Sequence, residues 1–431
     1  MRMLLRALSV AVASLALMLP AFAAAPVPAA TPRIIEIASA SAPVTGMQLF
    51  VPAGLDRQPR NRSGLAAVVA QALIETPVNG LALALAVARA GGSITYTVDG
   101  QETHFYLEAA PSHFAEAASL FALALTHPDF GPVAIESAAA YVTQRASASN
   151  GDGLSVGAAM FRSIYLAKTN AGLPTWGSVA TIAQISPADA ADFFRENYVA
   201  RGSIIVGAGA AAPGLSEGER MVAAVLPDRD AAEIVGSGRL PVKARSRELV
   251  THRDLPAAWI VLGYDAPAPG SRDFAPVLVL ESLIGQAVGR GLAPPLVSTP
   301  TDAEMPVGSL YLFDTVPSAV IVYANGAGGD PTLAVRTVAT VIDTLVAAPL
   351  TQAELALAKA QATGNMLFEE ATIADRSWLT GNFAREGAGD DYAARVLPAI
   401  AAVTPAQLRT AAKRYFTHYT TSIVLPREGR P

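Results

Sequence analysis

The sequence predicts an α+β protein of two similar domains in tandem, each a mainly antiparallel sheet with helices packed on one face. Three observations predict it. A unit recurs along the chain, the pieces around it recur in the same order, and the strand-like stretches alternate apolar with less apolar residues. In the first half, Ser186-Pro187 opens a helical stretch through Phe193, Phe194 and Tyr198, followed by the strand Ser203-Ile204-Ile205-Val206. In the second, Thr404-Pro405 opens another through Leu408, Ala412, Tyr415 and Phe416, followed by Ser422-Ile423-Val424-Leu425, an offset of 218 residues from Ser186 to Thr404. Each copy has a hydroxyl to cap the helix, a proline whose fixed φ suits the first helical position, and a β-branched strand after an aromatic end.

Taken in order, the chain begins with Arg2 and Arg6, runs into the apolar stretch Ala7 to Leu19, and reaches small residues at Ala21-Phe22-Ala23, with no acid before Glu36. Residues 1–25 therefore read as a secretory signal peptide, which implies a periplasmic location and no membrane insertion after cleavage. Residues 33–210 form the first expected domain. Its strand Thr45–Val51 and helix Gly64–Ile74 match the strand Ala258–Gly263 and helix Phe274–Ile284 of the second, residues 246–427. Its strand His104–Glu108 and helix His113–Leu125 match Ala319–Ala324 and Leu333–Val346. Pairs such as Phe105/Leu107 and Ile321/Tyr323 suit strands with one face on a core. Between the domains, residues 211–245 are rich in Pro, Gly and charge and read as a linker.

Composition narrows the chemistry. Apolar residues make up 52% of the 431, ample for two cores. Cysteine is absent, which removes disulfides, thiolate metal sites and cysteine nucleophiles. The net charge is −5, and no basic cluster could line one face, so a nucleic-acid partner is not expected.

Several local sequences, in order, carry a resemblance. They are Gln48-Leu49-Phe50-Val51-Pro52-Ala53-Gly54, Arg62-Ser63-Gly64-Leu65-Ala66, Ala90-Gly91-Gly92-Ser93 and His127-Pro128-Asp129-Phe130 in the first half. Ile260-Val261-Leu262-Gly263-Tyr264, Ala358-Lys359-Ala360-Gln361 and Ala402-Val403-Thr404 follow in the second. The set resembles the insulinase/pitrilysin family of metallopeptidases, to which mitochondrial processing peptidase and its bacterial relatives belong. The resemblance implies two copies of one α+β domain, assembled with a second subunit into a clamshell around a peptide chamber.

In active members Ser-Gly-Leu-Ala leads into the inverted zinc motif H-x-x-E-H, in which two histidines on one helix face hold the metal and the Glu activates its water. The positions here are Ala67, Val68, Val69, Ala70 and Gln71. Alanine has no lone pair to give, and a lone amide is a poor zinc ligand. The third ligand of the family is a Glu on a later helix, yet between Ser137 and Ala188 the one acid is Asp152, in the turn-like Asn150-Gly151-Asp152-Gly153. No two of His104, His113, His127, His252 and His418 sit at helical spacing, so each is expected as a strand, cap or surface residue. No metal or cofactor is expected in this chain, zinc belonging to a partner subunit. The resemblance also implies an Arg and a Tyr in the second domain that hold the peptide backbone, and it carries them onto Arg290, in Gly289-Arg290-Gly291-Leu292, and Tyr311.

Two further motifs invite chemistry. Gly153-Leu154-Ser155-Val156-Gly157 fits the nucleophile elbow, but the stretch before it is loop-like where a buried strand is needed, so Ser155 is expected near the start of an ordinary helix. Gly207-Ala208-Gly209 with Ala212 imitates a dinucleotide fingerprint, and Pro213-Gly214 is expected to break the helix that would hold the pyrophosphate. The leading expectation is a non-catalytic subunit of a periplasmic zinc peptidase, completing a chamber for unfolded peptides beside a zinc-bearing paralogue. The alternatives are a self-dimerising peptide or protein binder without an enzyme partner, and a serine hydrolase using Ser155.

Overall fold

The structure is a computed structural model that describes residues 32–38, 42–210, 213–235, 247–296, 307–313, 317–326, 331–347 and 350–427. The signal peptide expected over 1–25 lies outside them. Two five-stranded sheets organise the chain. The first contains β1 (Arg33–Ala38), β2 (Thr45–Val51), β5 (Gly92–Val98), β6 (Thr103–Ala109) and β7 (Ile204–Gly209), with a small hairpin of β3 (Pro77–Val78) and β4 (Leu81–Ala82) beside it. The second contains β8 (Glu248–Arg253), β9 (Ala258–Asp265), β10 (Val307–Leu312), β11 (Ala319–Gly326) and β12 (Tyr419–Pro426). Their orders are β1-β7-β2-β6-β5 and β8-β12-β9-β11-β10. In each, one parallel pair stands at an edge (β1 on β7, β8 on β12) and every other pairing is antiparallel. The internal repeat is thus a repeat of topology as well as of sequence.

The helices of the first half are α1 (Leu65–Glu75), α2 (Leu83–Arg89), α3 (Phe114–Thr126), α4 (Pro132–Ser149), α5 (Gly153–Tyr165), α6 (Val179–Ile182), α7 (Pro187–Asn197) and α8 (Pro213–Val225). Those of the second are α9 (Phe274–Leu296), α10 (Pro331–Ala347), α11 (Gln352–Phe368), α12 (Ile373–Arg385), α13 (Tyr392–Ala402) and α14 (Pro405–Tyr415). The two repeated helices start identically. Ser186 and Asp189 form a capping box before α7, Thr404 and Gln407 another before α14, and a proline fills the first turn of each.

The stretch expected as a linker carries a helix. Pro213 and Gly214 begin α8 instead of breaking it, because the first turn has no use for the proline N–H. Helix α8 lies against α3 and buries Leu215 and Val222 in the first core.

The sheets also differ from the expectation in having apolar side chains on both faces. All seven residues of β2 are buried. Met47, Leu49 and Val51 join the first core under the domain's own helices, while Phe50, Ile204 and Val206 point to the opposite face. What covers that face is α12, from the other half of the chain. The second sheet mirrors this: Ile260, Leu262, Val320 and Val322 face its own helices, and Val261, Ala319 and Ile321 meet Phe161 and Tyr165 of α5 from the first half. Each sheet is therefore sandwiched between its own helices and one exchanged helix. Central strands buried on both faces read as nearly continuous apolar runs. Among the described residues no helix is long and apolar enough to cross a membrane.

Candidate functional site

Helix α1 carries Ala67, Ala70 and Gln71, the positions that the sequence resemblance matches to the zinc motif. Gly64 starts it at φ +102°, in the left-handed region, with the carbonyl of Trp176 only 3.0 Å from where a Cβ would stand. From Leu65 to Leu73 every residue of α1 is buried, Ala67 and Ala70 completely. Gln71 is held at both ends of its amide: its Nε2 donates to Glu75 Oε1 at 2.6 Å, and its Oε1 accepts from the Tyr96 hydroxyl on β5 at 2.9 Å. Burial, with Tyr141 and Glu75 adding to it, raises the Tyr96 hydroxyl far above the usual phenol range, so it remains a proton donor. Helix α4 packs along α1, and what it brings toward Tyr96 is Tyr141 and Arg145. Two methyl groups, an amide already engaged, a phenol and a guanidinium do not make a zinc site.

Among the described residues strand β5 is an edge of its sheet, paired with β6 alone, and it opens onto a cavity of about 480 Å³ between the two halves. Thr95, Tyr96 and Thr97 of the strand line it, with Asp99 just past its end, facing Asp375 and Trp378 of α12 and Arg162 of α5. At the turn that follows, Asp99, Glu102 and His104 place their ligand atoms within 4.8 Å of one another. Arg385, from α12, reaches this turn. Its Nε stands 2.8 Å from Glu102 Oε2, its Nη1 donates to Gln101 Oε1 at 2.9 Å, and its Nη2 stands 3.1 Å from Glu386. Burial, and then the charge of Arg385, lower the His104 pKa to about 4, so its ring is neutral at physiological pH. Sequence reasoning sought histidine pairs at helical spacing and passed over this group, whose signal is two acids and a histidine within six residues of a strand-turn-strand.

The remaining expected residues are scattered. Ser155 lies in the first turn of α5, where its N–H donates to Asp152 Oδ2 at 2.9 Å as part of the helix cap, and it lines a second cavity of about 550 Å³. The strand before an elbow is missing; α4 ends at Ser149 instead. Tyr311, on β10, packs against Phe274 at 5.2 Å between ring centres and donates its hydroxyl to the Pro267 carbonyl. Arg290 falls on α9 in a stretch whose side chains lie outside the described residues.

The same arrangement of sheets and helices occurs in solved structures. A protease from Helicobacter pylori superposes with a TM-score of 0.79 at 17% identity, over 92% of this chain and 98% of its own. An inactive domain of peptidase M16 from Pseudomonas fluorescens does so with a TM-score of 0.75 at 16% identity, over 94% and 97%. The chain has the two-domain M16, or insulinase-type, fold. A chain of Complex III2 from Candida albicans, with Inz-5 bound, shares it with a TM-score of 0.72 at 16% identity, over 91% and 93%. No family model matches the sequence, and no curated protein does. The M16 fold thus extends over nearly the full length of the chain, and the head of α1 within it is packed into the core.

Proposed function

We propose that the chain is a pseudo-peptidase: a non-catalytic subunit of a periplasmic zinc peptidase of the insulinase type, which completes the peptide chamber of a zinc-bearing paralogue. The observation that carries this reading is the state of α1, where Ala67 and Ala70 are sealed in the core and Gln71 is bonded to Glu75 and Tyr96 inside an otherwise complete M16 fold. The partner supplies zinc, the Glu base and the hydrolytic water. This chain supplies wall area and an open strand edge, since β5 presents unpaired backbone groups to a cavity and an extended peptide can add to such an edge. The likeness to an inactive M16 domain and to a chain within a larger complex supports the same role.

The test is co-expression, from the native operon, with any neighbouring reading frame that retains H-x-x-E-H. Co-elution of the two chains, and peptide hydrolysis that requires both, is the expected result. Elution of this chain alone or as a self-dimer that binds unfolded peptide, with the paralogue fully active by itself, would replace it with the stand-alone binder. Labelling of Ser155 by a fluorophosphonate would overturn both.

A further inference from the structure

The group Asp99, Glu102 and His104 is built as a site rather than gathered by chance. Its turn is braced from within, Asp99 N–H donating to the Glu102 carbonyl at 3.0 Å, and from beside, where the N–H groups of Leu55 and Asp56 donate to the carbonyls of Asp99 and Gly100 at 3.0 and 2.9 Å. The ladder pairs Thr97 with His104 and Val98 with Thr103 just behind it. The ligand-bearing residues are therefore held in place before any ligand arrives.

His104 is 7% exposed. Its Nδ1 faces Asp99 Oδ2 at 3.8 Å, beyond hydrogen-bonding distance, and no other polar atom bonds it. A buried imidazole nitrogen without a partner is costly and rare, and here it is aimed at a carboxylate. Charge points the same way. Asp99, Glu102 and Glu386 bring three carboxylates to the neighbourhood, and Arg385 bridges Glu102 and Glu386. Arg385 also behaves as an outer partner should, holding one oxygen of Glu102 and so fixing the direction of the carboxylate.

We propose that Asp99, Glu102 and His104 bind a divalent transition-metal ion at the seam between the domains, apart from the vanished zinc motif of α1. One imidazole and two carboxylates form a donor set that suits zinc or manganese, with water from the adjoining cavity completing the shell. The ion would tie Asp99 and His104 to Glu102 and, through it, to Arg385 of the second domain.

The test uses untagged, EDTA-treated full-length protein, titrated calorimetrically with Zn²⁺ and with Mn²⁺, and with Co²⁺ followed by visible absorption. One ion per chain is expected for the wild type and for Gln71→Leu, with affinity lowered at least about tenfold in His104→Gln and in Asp99→Asn. Co²⁺ should give a d–d band that His104→Gln shifts or abolishes. Absence of stoichiometric binding by the wild type overturns the proposal, as does binding that survives His104→Gln or is lost in Gln71→Leu. Should His104→Gln fail to fold by circular dichroism, Asp99→Asn, at the partly exposed rim of the site, decides.

Discussion

Phe50 of β2 packs against Gly381 in α12, so closely that a Cβ at Gly381 would stand 2.1 Å from Cε2 of the ring. The contact crosses from one domain to the other, and it has a counterpart. A Cβ at Gly263 of β9 would stand 2.1 Å from Cε2 of Phe161, on the helix that travels in the opposite direction. Gly381→Ala and Gly263→Ala should each cost about 1–3 kcal/mol by overpacking, read as a fall in the urea midpoint. A neutral outcome would mean that the exchanged helices sit less closely than described here.

Arg385 and Glu102 form an ion pair at 2.8 Å with side chains only 14% and 3% exposed. Removing one partner leaves the other charge with too little water and too few bonds. Arg385→Ala should destabilise the protein by about 3–5 kcal/mol, while Arg385→Met with Glu102→Leu together should cost far less. Thermal unfolding of the three proteins checks the order.

Tyr165 donates to Asp265 Oδ1 at 2.8 Å and lies 2.7 Å from the Ser318 carbonyl, joining α5 to the far sheet. Tyr165→Phe keeps the ring stacked on Phe161 and removes only the hydroxyl. A loss of about 1–2 kcal/mol in chemical denaturation is expected.

Glu219 on α8 has a carboxyl raised to about 8 by burial and by the neighbouring Glu36, against 4.5 when exposed. Over that window the folded chain binds more protons than the unfolded one, so this residue's contribution is complete below pH 4.5 and is lost as the pH rises through 8. In Glu219→Gln the amide does not titrate, and stability measured from pH 5 to 9 should decline less than in the wild type. His104 acts in the opposite sense, with a folded pKa of about 4 that favours folding at the higher end of the interval from 4 to 6.5. The paired comparison cancels it.

Ala70, which the sequence resemblance sets at the position of the Glu base, is completely buried. Ala70→Glu should therefore cost about 3 kcal/mol or more, as an unpaired carboxylate in a dry core does, and should bring no peptidase activity. Folding stability undiminished by the change, with zinc taken up, would show that α1 keeps a vacant ligand site.

Much of this architecture is legible in the sequence, because the signals that place its elements are local. The hydroxyl-proline starts at Ser186 and Thr404 mark real helices, and Thr45–Val51 is a strand from end to end. That Ala67, Ala70 and Gln71 offer neither imidazole nor carboxylate is likewise read from residue identity alone. What escaped is non-local. Gly157 and Gly381 are glycines because strands of the opposite domain pass against them, with Val261 and Phe50 the side chains that would meet a Cβ, and no neighbour in sequence announces that. Helix α8 escaped because Pro213 was read as a breaker where it serves as a start. The Asp99 turn escaped because its three ligand-bearing residues become a cluster only when β5 and β6 pair.

The exchange of helices also sets an order of events. Phe50, Ile204 and Val206 receive their cover from Ile373–Arg385, which leaves the ribosome more than a hundred residues after the last strand of the first sheet. The N-terminal domain is the first to be synthesised and among the last to be finished, and in the interval it presents an apolar sheet face to its surroundings. Until the C-terminal third is made that face has no cover of its own, so each half depends on the other for the burial of its sheet.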